Sequence, residues 1–132
     1  MSTPITIDYY TDILCVWAWI AQKRVDELNK TFGNSIIFNN CYVDIFGDVS
    51  NKMQTQWSKK GGYDGFAEHV QKSAAPFEQA KVNDKVWKEV RPASSASAHL
   101  VLKATELLCG KEKSYEAALS LRKAFFIDAK NI

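Results

Sequence analysis

Apolar and polar positions first fall into order at residues 5–10, where Ile5, Ile7 and Tyr9 share one face and the strand-favouring Thr6 and Tyr10 stand among them. This alternation predicts a buried strand, and Thr11 and Asp12 end it. From about 16 to 30 the period changes: Trp17, Ala21, Val25 and Leu28 recur at i, i+4, i+8 and i+11, one stripe of an α-helix that Gly33 stops. Residues 35–46, with Ile36, Ile37, Phe38, Cys41, Tyr42, Val43, Ile45 and Phe46, predict a second strand. Strand, helix and strand in this order make a right-handed βαβ unit, the beginning of an α/β fold.

Beyond Gly47 the pattern holds helices only. Residues 54–60 are polar, Gly61 and Gly62 mark a turn, and Tyr63, Phe66 and Val70 repeat at i, i+3 and i+7 until Pro76 breaks the helix. Val82, Val86, Trp87 and Val90 suit a short helical turn closed by Pro92. Ser94 or Ser95 is placed to cap a helix carrying Leu100, Val101, Ala104, Leu107 and Leu108, with Gly110 as its stop. Ser114 is placed to cap the last helix, with Glu116 in its first turn and Ala118, Leu121 and Phe125 as its apolar stripe. The chain thus divides into a βαβ part, residues 1–46, and a helical subdomain, residues 47–132.

Composition narrows the function classes. A chain of 132 residues with 46% apolar content suits one modest core. Seventeen basic against fifteen acidic residues leave a formal charge of +2, with no run of five like charges, so neither a nucleic-acid nor a membrane partner is expected. The N-terminus lacks a basic and an apolar leader region, and no stretch approaches the roughly 18 apolar residues of a span, so a cytoplasmic protein is expected. Cys15, Cys41 and Cys109 are an odd, dispersed set without a C-x-x-C pair, which argues against a disulfide framework and leaves thiols that act singly.

Of these thiols Cys15 has the informative position. A turn leading from a strand into a helix sits at the C-terminal edge of the sheet, and a thiolate there gains from unpaired N–H groups and the positive end of the helix dipole. Carboxylates at Asp8 and Asp12 oppose that gain. An isolated cysteine is ordinarily a small buried hydrophobe, and Cys41 and Cys109, on apolar stripes, are read as core. His69 and His99 have no second ligand at metal spacing and are read as surface or capping residues, so no metal site is expected. Lys59-Lys60-Gly61-Gly62 lacks the full phosphate-loop spacing and reads as a solvated turn, and Trp57 and Trp87 read as core aromatics.

The segment IDYYTDILCVWAW, Ile7 to Trp19, resembles the first strand and active-site turn of DsbA-family oxidoreductases of the FrnE-like branch, where the turn is C-P-W-C. RPASSASAHLVLKA and LRKAFFIDAKNI are similar to segments of the last two helices of that family's helical insertion. The resemblance implies a thioredoxin-like fold, βαβ half first and helical insertion second, with Cys15 as nucleophile and Val16, Trp17 and Ala18 lining the substrate or glutathione site. Ala18 stands where the family has its second cysteine, so a dithiol cycle is replaced by a monothiol one that an external thiol such as glutathione must resolve. No bound cofactor is implied, and glutathione serves as co-substrate. Related kappa-class glutathione transferases and hydroxychromene-carboxylate isomerases use a serine at the Cys15 position, which makes conjugation or isomerisation the alternative; a redox-inactive binding module is the third. The family continues into a cis-proline loop, two strands and a closing helix that have no counterpart here, so the first strand is expected to present an open edge, in a truncated product or in a homodimer that completes the sheet.

Overall fold

The two strands lie parallel, β1 (Ile5–Thr11) against β2 (Ile36–Tyr42), paired from Ile5 opposite Ile36 to Thr11 opposite Tyr42, in a computed structural model that describes residues 2–132. Helix α1 (Val16–Phe32) makes the crossover that a parallel pair requires, and it ends where Gly33 takes φ 48°, a backbone region open to glycine at little cost. The fold is therefore mixed α/β and starts with the expected βαβ unit. β2 stops at Tyr42, short of residue 46, because the N–H groups of Ile45 and Phe46 donate to the Asp12 carboxylate, at 3.2 and 2.9 Å, instead of to a strand.

Four further helices follow: α2 (Val49–Gln56), α3 (Gly62–Ala74), α4 (Ala96–Cys109) and α5 (Lys111–Phe126). Helix α2 hides in a polar stretch because it buries only Val49 and Met53, one turn apart, and it is capped by Asp48, whose carboxylate accepts from Asn51 N–H at 3.0 Å. Residues 82–90 do not form the expected helical turn. Trp87 adopts φ 64°, its N–H donates to Val90 O, and a lone bridge joins Val86 to Val90. That reversal places the Trp87 ring, fully buried, against Phe46, Phe66 and Phe125.

One apolar cluster draws on both stretches of the chain, with Ile13, Leu14, Trp19 and Phe46 packed among Val70, Trp87, Leu102 and Phe126. Trp19 stacks on Phe126 at 5.6 Å between ring centres and donates from its indole to Lys81 O. This sets the buried side of α1 at Val16, Trp19 and Ile20; of the expected stripe only Val25 is buried, while Trp17 is 55% exposed and Leu28 also faces solvent. On α4 the buried side is likewise Ala98 and Leu102, and the expected stripe faces outward. Helix α5 starts at Lys111, so Ser114 lies inside it and ties the two helices together by donating to Leu102 O at 2.7 Å.

The sheet is covered unevenly. Thr6, Asp8 and Tyr10 are exposed on one face, and Ile5, placed by the alternation on a buried face, is 67% exposed. No strand beyond β1 pairs with its outer edge among the described residues. Cys41 is half-buried, and Cys109, expected in the core, is exposed at the end of α4, where the helix turns its apolar stripe to solvent. Among the described residues no helix is long and apolar enough to cross a membrane.

Candidate functional site

Cys15 closes a tight turn by donating its N–H to Asp12 O at 3.1 Å, then becomes the N-cap of α1 and accepts from Trp19 N–H at 3.1 Å. Its extended backbone, φ −78° and ψ 122°, is that of a cap residue, yet no side chain caps the helix and no acidic residue lies in the first turn. The first-turn N–H groups, those of Val16, Trp17 and Ala18 among them, have no intrahelical acceptor. Cys15 thus stands at the positive end of a 17-residue helix whose first-turn N–H groups no side chain, its own thiol included, caps.

Half-buried Cys15 stands on the wall of a cleft of about 320 Å³, which Val16 and Trp17 line with it, together with Ile45 and Phe46 and residues of α2, of the turn after it and of α3. Ala18, the fourth residue expected at the site, is buried in the first turn and does not line the cleft. This last part of the lining is one that the sequence did not announce: Lys52 and Gln56 from α2, Trp57 and Lys60 from the turn after it, and Phe66 and His69 from α3. Lys52 Nζ lies 5.1 Å above the Phe46 ring and donates to Gln56 Oε1, and Lys60 Nζ lies 5.2 Å above Trp57. Trp57 is held edge-on to Phe66 at 4.9 Å and beside His69 at 5.1 Å, so it is a cleft residue and only partly a core one. Among the described residues no Asp or Glu lines this cleft. A larger groove of about 490 Å³ runs along β2 near Asn34, Phe38, Lys111 and Tyr115, but no cysteine lines it.

Asp12, expected to oppose a thiolate, is fully buried and committed elsewhere. Its carboxylate accepts from Leu14 N–H at 2.9 Å, from Ile45 and Phe46 N–H, and from Ser95 Oγ at 2.8 Å. Ser95 therefore occupies the N-cap position of α4 without capping it, while Ser94 Oγ accepts from Ala96 N–H. His99, read from sequence as a surface or capping residue, packs into the same knot: its Nε2 accepts from Ile13 N–H at 3.0 Å and its ring stacks on Tyr42 at 4.6 Å. An accepting Nε2 carries no proton, and burial lowers the His99 pKa despite the neighbouring Asp12 charge. Burial likewise raises the Tyr42 hydroxyl.

A second buried charge sits one residue back along β1. Arg122, beside Leu121 on the predicted stripe of α5, is the buried one of the two; its Nη2 donates to Thr11 Oγ1 at 2.8 Å and its Nη1 to Gln22 Oε1 at 3.3 Å. Its Nε has no partner, and no carboxylate lies within salt-bridge distance among the described residues. Burial pushes its pKa down, and the fields of Tyr9, Tyr42, Cys15 and Asp12 act against that. No protein-family model matches the chain and no curated protein matches it significantly.

Proposed function

We propose that this chain is a monothiol thiol–disulfide oxidoreductase of DsbA-like, thioredoxin-fold type that works with glutathione in a reducing cytoplasm. The observation that carries the reading is the setting of Cys15: a cap-position residue at an uncapped helix N-terminus, on the wall of a cleft lined by Lys52 and Lys60 and, among the described residues, by no carboxylate. Glutathione and its disulfides carry excess carboxylate charge, and a lysine-lined cleft attracts them. In the first step the Cys15 thiolate attacks one sulfur of a glutathione mixed disulfide, forming a Cys15–glutathione disulfide while the other sulfur leaves with the bonding pair and takes a proton from water. A second glutathione thiolate then attacks the glutathione sulfur of that adduct, releasing oxidised glutathione and restoring the Cys15 thiolate. Ala18 offers no internal resolving thiol, which is why the external one is needed. Cys15 lies beyond the end of β1, so the cycle runs alike in a monomer and in a homodimer.

The apolar remainder of the cleft, Trp17, Ile45, Trp57 and Phe66, favours a second reading, in which the same cap position holds a glutathione thiolate for conjugation or isomerisation of an apolar co-substrate. Intact-mass analysis after exposure to oxidised glutathione is expected to give one adduct, at Cys15, that dithiothreitol removes, and Cys15 is expected to alkylate faster at pH 7 than the exposed Cys109. Labelling of Cys109 ahead of Cys15 would sink both readings. Cys15→Ser separates them, since it abolishes disulfide exchange and leaves transferase activity. Charge reversal by Lys52→Glu with Lys60→Glu is expected to slow adduct formation with oxidised glutathione by about tenfold at low salt and to leave reaction with an uncharged disulfide nearly unchanged.

A further inference from the structure

Helix α4 is apolar on two sides but uses only one. Ala98 and Leu102 face the interior, and α5 holds the helix there through Ser114. On the outer side Leu100, Val101, Leu107 and Leu108 are 72%, 58%, 86% and 84% exposed, with Ala104 exposed between the two pairs. These positions form one stripe, spaced as in a helix-pairing seam. The charged residues beside the stripe are tied to one another, with Lys103 and Lys111 both on Glu106 at 3.2 and 3.3 Å, so no free charge on this helix opposes an apolar contact there.

The stripe is symmetric about Ala104: Leu100 and Val101 precede it by four and three residues, and Leu107 and Leu108 follow it by three and four. Two such helices crossing antiparallel at Ala104 would set each Leu100–Val101 pair against the partner's Leu107–Leu108 pair, with a small side chain at the closest approach. The four large side chains offer roughly 600 Å², at the upper limit of patches left open on monomers. Complete cover of these side chains on both copies would bury at most on the order of 1,200 Å², at the lower bound of specific interfaces. The edge of β1 is less suited to a second copy, because a two-fold antiparallel pairing of Ile5–Thr11 centres on Asp8 and brings two carboxylates face to face.

We propose that α4 pairs antiparallel with α4 of a second copy of this chain, about a two-fold axis at Ala104. Sedimentation of the whole chain at rising concentration is expected to show a monomer–dimer equilibrium. Leu107→Lys, at a fully accessible position, is expected to give a monomer with an unchanged circular dichroism spectrum, and Asp8→Lys to leave the dimer intact. In a background with all three native cysteines replaced by serine, Ala104→Cys is expected to cross-link nearly completely on mild oxidation, and Leu100→Cys hardly at all. A chain that stays monomeric to high micromolar concentration overturns the proposal. So does a dimer that survives Leu107→Lys, which together with loss of dimer on a charge placed at Tyr10 would assign the contact to the strand edge. Equal cross-linking at residues 100 and 104 would overturn the antiparallel arrangement.

Discussion

Asp12 and Arg122 are both buried charges at the C-terminal end of β1, and they are served very differently. Asp12 takes hydrogen bonds from three backbone N–H groups and one hydroxyl, contributed by the α1 turn, the segment after β2 and the start of α4. Arg122 makes two bonds to neutral oxygens and leaves Nε unpaired. A buried ion whose lone pairs are filled holds separate pieces of chain in one geometry, whereas a buried ion with spare donors costs desolvation that its contacts return only in part. The difference locates the organising centre of the site. Asp12 fixes the turn that presents Cys15 and the Ile45–Phe46 segment that lines the cleft, and Arg122 props the neighbouring strand end from behind.

The largest effect expected from this contrast is that of Asp12→Ala. The substitution strips four donors of their acceptor in a buried site, and a loss of about 3–5 kcal/mol is expected, a large share of the total stability of a chain of this size. Denaturant titration followed by tryptophan fluorescence checks it. A loss under ~1 kcal/mol would mean that the knot does not organise the turn.

A smaller and reversible version of the same break comes from His99. The folded state holds its imidazole neutral, with a pKa below the ordinary 6.5, mainly because it is buried. The unfolded chain binds a proton near pH 6.5 and the folded chain only at lower pH, so the contribution is complete above 6.5 and is lost as pH falls through the depressed value. Protonation also removes the acceptor of Ile13 N–H, two residues before Cys15. Melting temperature is thus expected to decline as pH is lowered below about 6.5, with a shallower decline in His99→Gln. An unchanged slope in that variant would show that another group carries the pH dependence.

These two charges also mark where the sequence was legible. The βαβ order, the cap position of Cys15 and all but one of the later helices follow from periodicity, because the apolar period and the stop residues Gly33, Pro76 and Gly110 are local signals. Burial is a tertiary property, and there the readings on α1 and α4 failed: a helix with apolar residues on two sides does not declare which side is covered. Arg122 illustrates this best, since a charged residue adjoining the Ala118–Leu121–Phe125 stripe reads as solvent-facing and is instead buried. Helix α2 escaped notice because two apolar residues one turn apart are too few to show a period, and with it went Lys52 and Gln56 of the cleft. Ser95 and Ser114 look like caps in sequence, yet each spends its hydroxyl on a distant group that only the fold brings near.

The smallest effect is expected at Arg122, and it tests the contrast from its other side. The guanidinium leans on Gln22 Oε1, and the Gln22 amide in turn donates at 2.9 Å to both Asp26 and the Tyr115 hydroxyl. Tyr115 is pushed up to about 12 by burial and by its hydrogen bond to Asp26, so that corner keeps its own proton and needs nothing from the arginine. Arg122→Met retains most of the apolar volume, removes the unpaired Nε, and leaves Thr11 Oγ1 and Gln22 Oε1 without their donor. These terms nearly cancel, and a stability change within about 1 kcal/mol in either direction is expected by the same denaturant titration. A loss as large as that of Asp12→Ala would show that the cation is as much an organiser as the carboxylate, and that its field, which includes Cys15 and Asp12, contributes what its hydrogen bonds do not.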